Sequence, residues 1–286
     1  MSAVRSGSRV RRFGGYAVLV VFALMFIGPF LIQLATSFKT DANASNQPLS
    51  LLPNPFSAAA WKRIFGATPN SSVPFMHWLG NSAFVAITIT IGRVFLDSLA
   101  GYALARLHFR GRRLVFALVL GTLAVPNVVL LIPRFLVLKE FQLFNSYAGM
   151  ILPIAADAAG IFIMRQFFLQ VPVSLEEAAR IDGAGIFRMY WSVVLPLVRP
   201  GLITLTILSF QSSWNEFSFF LIATVDPKYY TLTTGLANLS GGSLGQGNQY
   251  PLNMGAALLT TLPVALLFFL FQKRLTRGQL TAGVKG

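Results

Sequence analysis

This sequence predicts an all-α, polytopic membrane protein, on three observations. Apolar residues make up 55% of the 286 residues and charged ones only 11%, with 26 phenylalanines, a composition that belongs to a bilayer and not to a soluble domain. The apolar residues gather into six runs of about 20, the length that crosses a hydrocarbon core. The 23 basic residues concentrate in alternate connectors, as the positive-inside rule requires.

Taken in order, the runs lie near Gly15–Ala35, Asn81–Leu104, Leu114–Ile132, Ala148–Phe168, Gly201–Ile222 and Met254–Phe271. The first follows Arg5, Arg9, Arg11 and Arg12 but exceeds the h-region of a signal peptide, so it is expected to remain as an uncleaved first span. The expected organisation is a tail over 1–14, a six-span body over 15–272 with a charged segment at 171–200, and a tail over 273–286. Placing both termini in the cytoplasm of a multi-pass inner-membrane protein puts 16 basic residues inside and six outside, with Arg93 within the second span. The net charge of +14 is then a consequence of orientation. A nucleic-acid binder would need a basic, aromatic-studded soluble face, whereas these clusters alternate with spans.

The absence of Cys excludes disulfides and thiolate chemistry, and His77 and His108 are the only histidines, too few for a histidine-built metal centre. An intramembrane enzyme is the competing function class. It would need paired carboxylates, a nucleophile with its base, or a metal site, and Arg93, Asp97, Asp157 and Glu216 are scattered over three spans without such a pattern. No Gly-x-x-x-x-Gly-Lys phosphate loop is present either, so ATP hydrolysis is not expected on this chain.

The most informative stretch is Ser174–Leu202, charged and rich in small residues between two apolar runs. Ser174 and Glu177 form a capping-box pair, which predicts a helix starting at Ser174. Leu175, Ala178, Ala179 and Asp182 then share a face, and Gly183 is placed to end the helix. Ala184–Val194 predicts a second, more apolar helix, stopped by Pro196 and Pro200. Helix propensity alone makes Glu-Glu-Ala-Ala-Arg an ordinary solvated surface. The fixed spacing is less ordinary: Glu177-Ala178-Ala179, three residues, Gly183, nine residues, Val193, one residue, Leu195-Pro196.

That spacing resembles the EAA loop of ABC importer permeases, with Val193 where Ile is commonest. The resemblance extends along the chain through Phe38-Lys39-Thr40, Asn81-Ser82, Ala100–Arg106, Gly160-Ile161-Phe162 with Arg165–Phe168, Trp214–Phe217 and Leu280–Gly286. These stretches look like the carbohydrate-uptake permeases, most of all the smaller subunit of the maltose type. The resemblance implies that Glu177, Ala178, Ala179, Asp182, Gly183, Ala184, Leu195 and Pro196 dock onto a cytoplasmic ATPase dimer, with Glu177 and Gly183 as key positions. It also implies a second permease subunit, an extracytoplasmic solute-binding protein and a sugar or oligosaccharide substrate. Glycerol-3-phosphate or a polyol is the alternative substrate. No cofactor is implied on this chain, since ATP and Mg belong to the ATPase. The terminal Thr-Ala-Gly-Val-Lys-Gly lacks one alanine of the commoner pattern.

Polar residues within the spans are the candidates for a translocation path, because such groups in hydrocarbon usually face the bundle interior or water. Over the fifth run, Ser209, Gln211, Ser212, Asn215, Glu216 and Ser218 fall on one half of a helix, opposite a stripe of Phe210, Trp214, Phe217 and Leu221. Gln211, Ser212, Asn215 and Glu216 are the path candidates, as amides and hydroxyls suit sugar hydroxyls. Interhelical hydrogen bonding is the equally ordinary reading. Arg93 and Asp97, four apart, predict an ion pair. Asp157, among alanines after Pro153, predicts either a broken-helix site or an interhelical bond. Three Asn-x-Ser matches, at Asn43, Asn70 and Asn238, carry no weight in a bacterial-type protein. Of the two long outer connectors, 37–78 and 223–253, the second contains the glycine-rich Gly241–Gly247, which the resemblance would place against the binding protein. A simple spacer is the alternative.

Overall fold

The computed structural model describes residues 4–66, 73–240 and 249–282, with side chains over 15–66, 73–240 and 249–271. All of its elements in those residues are helical: α1 (Val4–Ser37), α2 (Asp41–Asn46), α3 (Ala59–Ile64), α4 (Phe75–Arg106), α5 (Arg112–Leu123), α6 (Leu131–Glu140), α7 (Tyr147–Ile151) with a 3-10 turn to Ile154, α8 (Ala158–Leu169), α9 (Val173–Ile181), α10 (Ile186–Arg188) running through a π turn to Val194, α11 (Leu195–Leu197), α12 (Arg199–Trp214), α13 (Ser218–Ala223), α14 (Leu232–Ser240) and α15 (Tyr250–Ala282).

Among the described residues, three helices are long and apolar enough to cross a membrane, within Gly15–Ser37, Phe75–Arg106 and Tyr250–Phe271. Two bent pairs, Tyr147–Ile154 with Ala158–Leu169 at 43° and Ile186–Leu197 with Arg199–Trp214 at 83°, bring the number to five if each is one span. The expected span over Leu114–Ile132 is instead two shorter helices. α5 closes with turn-type bonds from Ala124 N–H to Gly121 O and from Val125 N–H to Thr122 O. Pro126 follows, with no N–H to continue the ladder and a ring that disfavours helix at the residue before it.

The expected run over Gly201–Ile222 is also interrupted, since α12 ends at Trp214. Asn215 caps it through its N–H to Gln211 O and Ser213 O, and Glu216 starts the next helix by accepting from the N–H of Phe219 through Oε1 at 2.9 Å. At 1.5 Å per residue, 16 residues of α12 fall short of a hydrocarbon core about 30 Å thick.

The chain divides into two compact units, 1–76 with 236–262 and 77–235 with 263–286. In the first, the apolar side chains of α1 stand exposed, as lipid-facing residues do. The Phe38-Lys39-Thr40 stretch organises the connector after it. Phe38 stacks on Phe56 and Trp61 at 5.2 and 5.5 Å. Lys39, buried, donates through Nζ to Gln47 O at 2.7 Å, and Thr40 caps α2 by accepting from the N–H of Asn43.

The second unit is built around α4. One apolar cluster gathers Tyr102, Met164, Phe168, Tyr190, Val194, Val198 and Leu205; another gathers Val85, Ile89, Leu138, Met150, Ile154, Phe219 and Phe220. Close approach of α4 and α8 depends on glycine. A Cβ at Gly101 would lie 2.8 Å from Met164 Cβ and 2.9 Å from Arg165 N, and one at Gly160 would collide with the Asp97 carboxylate. Small residues serve membrane helices in this way, letting backbones pack where lipid supplies no competing hydrophobic drive.

Candidate functional site

The EAA-like segment folds as a short helix followed by a turn and a second helical run. α9 begins one residue earlier than the capping-box reading allows: its N-cap is Pro172, with no side-chain capping bond, so Ser174 lies inside the helix. Pro172 has an extended backbone, φ −58° and ψ 131°, which directs the chain into the helix without a hydroxyl cap. The C-terminus is as the glycine predicts. Gly183 has φ +79°, its N–H bonds Arg180 O, and Ala184 N–H bonds Ala179 O, the paired pattern of a Schellman ending.

α9 has two faces. Glu177, Ala178, Asp182 and Gly183 are exposed, while Ala179 and Ala184 are half-buried. Leu195 and Pro196 are likewise half-buried, with Leu195 packed on the cluster of Tyr102, Phe168 and Tyr190. The apolar run after Gly183 carries a π turn over Met189–Val194, where Met189, Tyr190 and Val194 are buried. The chain then breaks at Val198, φ −97° and ψ 19°, between Pro196 and Pro200, as the two prolines predict.

Sequence reasoning missed the neighbour of the expected glutamate. Glu176 is 4% exposed, and its Oε1 lies 3.0 Å from Arg106 Nε at the end of α4. The contact is one of charge, since Oε1 accepts no directed hydrogen bond. Arg106 spends its N–H groups on carbonyls, donating to Phe168 O from Nε and Nη2 at 3.1 and 2.6 Å and to Val171 O from Nη2. A signal was available: Glu176 is three residues before Ala179, so both occupy the inward face of a helix whose Glu177 points outward.

The four path candidates sit together around the end of α12. Gln211, Ser212 and Asn215 are exposed, whereas Glu216 is half-buried with its carboxylate committed to the start of α13. The aromatic stripe is not a plain lipid face, because Trp214 is buried and stacks on Phe210 at 5.5 Å.

Arg93 and Asp97 do not pair as expected. Arg93 donates through Nε to Ile154 O at 2.9 Å and through Nη1 to Ser212 Oγ at 3.3 Å. Asp97 accepts through Oδ1 from the N–H of Asp157 at 2.9 Å. The bend at 155–157 therefore has a cation at the C-terminal end of its first half and an anion at the N-terminal start of its second, the polarity that helix dipoles favour. Both readings for Asp157 meet here: it stands at the break before α8, and its backbone N–H makes an interhelical bond to Asp97. The glycine-rich stretch Gly241–Gly247 and the last residues, 283–286, lie outside the described residues.

Residues 97–279 match the family described as the binding-protein-dependent transport system inner membrane component. The chain belongs to that family. This ABC importer permease is 32% identical over 269 residues to the sn-glycerol-3-phosphate transport system permease protein UgpE of Yersinia enterocolitica, covering 92% of this chain and 94% of the relative. It is also 32% identical over 272 residues to the arabinooligosaccharides transport system permease protein AraQ of Halalkalibacterium halodurans, covering 95% of each. Among solved structures, a chain of a bacterial ABC transporter involved in the import of the acidic polysaccharide alginate superposes with a TM-score of 0.78 at 24% identity, over 94% of this permease and 97% of that chain. The protein is thus a transport subunit of the inner membrane working with a solute-binding protein, and not an enzyme.

Proposed function

We propose that this permease builds half of a translocation path for a sugar or oligosaccharide and receives the ATP-driven stroke through Glu177–Pro196. In this reading the chain spans the membrane six times with both termini in the cytoplasm. Its assembly contains a second, homologous permease and an ATPase dimer that holds ATP and Mg, and the chain itself carries no cofactor. Glu177, Ala178, Ala179, Asp182, Gly183, Ala184, Leu195 and Pro196 form the ATPase-facing segment; Gln211, Ser212, Asn215 and Glu216 border the path.

One observation carries the reading. α9 presents Glu177 outward, ends on a left-handed Gly183 and rests on an inward face held by an ion pair and an apolar cluster, the build of a rigid projection made to be gripped. The substrate class rests on the relatives. An arabinooligosaccharide permease supports an oligosaccharide, and a glycerol-3-phosphate permease at equal identity supports that solute or a polyol as the second reading.

The test copurifies the chain with its partner permease, ATPase and binding protein in nanodiscs and compares ATPase stimulation for the native chain and Glu177→Lys with Gly183→Asp. The pair of substitutions should abolish stimulation or association. Native-like stimulation in the double variant would sink the coupling assignment.

A further inference from the structure

We propose that Arg106 is the positioning residue of the coupling segment, locking α9 to the ends of α4 and α8 so that a displacement of α9 is passed to both helices. The inference rests on the coupling role proposed for Glu177–Pro196 and adds the route by which motion leaves that segment.

Three chain segments meet at one guanidinium. Arg106 is the last residue of α4. It bonds the carbonyl of Phe168 in the last turn of α8, then Val171 O in the connector, and sits against Glu176 in the first turn of α9. The side chains of the ion pair are 9% and 5% exposed, among Tyr102, Phe168, Val171 and Tyr190. Only arginine brings a planar fork of five donors with a permanent charge. The carbonyls use the donors and the carboxylate uses the charge.

The placement of this junction argues for transmission as well as for holding a loop in place. Glu176 and Glu177 are adjacent, one buried and one exposed, so force applied to the outer face arrives one residue from Arg106. Farther along α4, Asp97 and Arg93 grip both sides of the bend at 155–157, and Arg93 also reaches Ser212, one of the path candidates. α4 is one unbroken helix between these points. Energetic coupling is expected to travel through such contiguous hydrogen-bonded and rigid elements.

The experiment measures solute uptake and ATP hydrolysis in the same proteoliposomes holding the complete transporter. Coupling between sites is commonly worth 5- to 150-fold, so Arg106→Gln should lower solute moved per ATP by about tenfold, and Arg106→Lys, which keeps charge but not the fork, should recover part of it. An unchanged ratio in an assembled Arg106→Gln complex overturns the proposal. Where Arg106→Gln fails to assemble, a spin-label pair at Ile181→Cys and Phe109→Cys, introduced into this cysteine-free chain, reads the same junction in the isolated subunit. Its distance distribution should be narrow in the native background and broad with Glu176→Gln; equal widths overturn the proposal. Glu177→Lys in the transport assay separates the two claims. If Glu177→Lys uncouples and Arg106→Gln does not, the junction is wrong and the coupling segment stands. If neither uncouples, both readings fall.

Discussion

The two ends of α4 are fastened by different chemistry. At one end Asn81 donates through Nδ2 to Lys228 O and Tyr230 O at 2.8 and 2.9 Å and accepts from Tyr147 Oη at 2.7 Å, while Ser82 Oγ accepts from Leu232 N–H at 2.7 Å. At the other end Arg106 and Glu176 bring two opposite charges into a buried junction. Neutral amide and hydroxyl bonds hold a connector in register and tolerate loss of single members at a modest cost. A buried ion pair does not, because removing one partner strands the other charge in a low-dielectric site. The charged end is therefore the more brittle fastening, and it is the end that carries the segment assigned to coupling.

The largest expected effect tests that brittleness. Glu176→Ala leaves the Arg106 guanidinium without its counter-charge and should cost about 3–5 kcal/mol, read as a large drop in melting temperature of the purified subunit. Glu176→Gln, which keeps shape and polarity, should cost less. If both variants melt with the native protein, charge is not what holds this end. At the Asn81 end the order of severity reverses. Asn81→Ala should cost about 2 kcal/mol for its lost bonds and the partners left behind, and Asn81→Asp should be worse, because an ionised carboxylate has no donor to offer Lys228 O and Tyr230 O. An aspartate milder than the alanine would break the contrast between the ends. Ser82→Ala removes one acceptor from the N–H of Leu232 and should cost about 1 kcal/mol, seen as faster amide exchange at Leu232 with little change in melting.

Much of this was legible in the sequence, and what was not has a common physical origin. The helical, membrane-spanning class followed from apolar run length, and the Schellman ending of α9 followed from a single glycine whose φ is +79°. The bend at Val198 followed from the two prolines flanking it. Apart from the spans interrupted near Pro126 and Asn215, the differences were choices between competing partners. Ser174 and Glu177 had the spacing of a capping box, yet Pro172 starts the helix and frees Glu177 to face outward. Arg93 and Asp97 had ion-pair spacing, yet each found a better use at the broken ends of a neighbouring helix, where unpaired backbone groups compete for them. Glu216, kept among the path candidates, also accepts from the Phe219 N–H, a local bond that its spacing did not announce. Local spacing reports which groups are able to meet. It does not report the orphaned backbone groups that tertiary packing brings alongside.

The smallest effect concerns the connector that Asn81 holds. Asp226 and Lys228 form an exposed pair with Oδ2 and Nζ 3.2 Å apart, and Asp226 Oδ1 also accepts from the N–H of Lys228 at 3.0 Å. That backbone bond, the leading cause, with the Lys228 side chain beside it, holds the Asp226 carboxyl below its ordinary value of 3.8. Lys228 is raised above 10.5 in return, first by its side-chain bond to Asp226. A depressed carboxylate contributes stability that is present above 3.8 and lost as the pH falls through the lower folded value. A raised amine contributes stability that is present below 10.5 and lost as the pH rises through its folded value. Between those limits the turn over Pro227–Tyr229 is held, and physiological pH should leave it untouched. Comparing amide exchange over residues 225–232 in the native chain and in Asp226→Asn at matched pH isolates the contribution. The two should differ at neutral pH and converge on acidification below 3.8. Exchange that already coincides at neutral pH would show that the bonds from Asn81, Ser82 and Asn145 keep this connector in place without the pair.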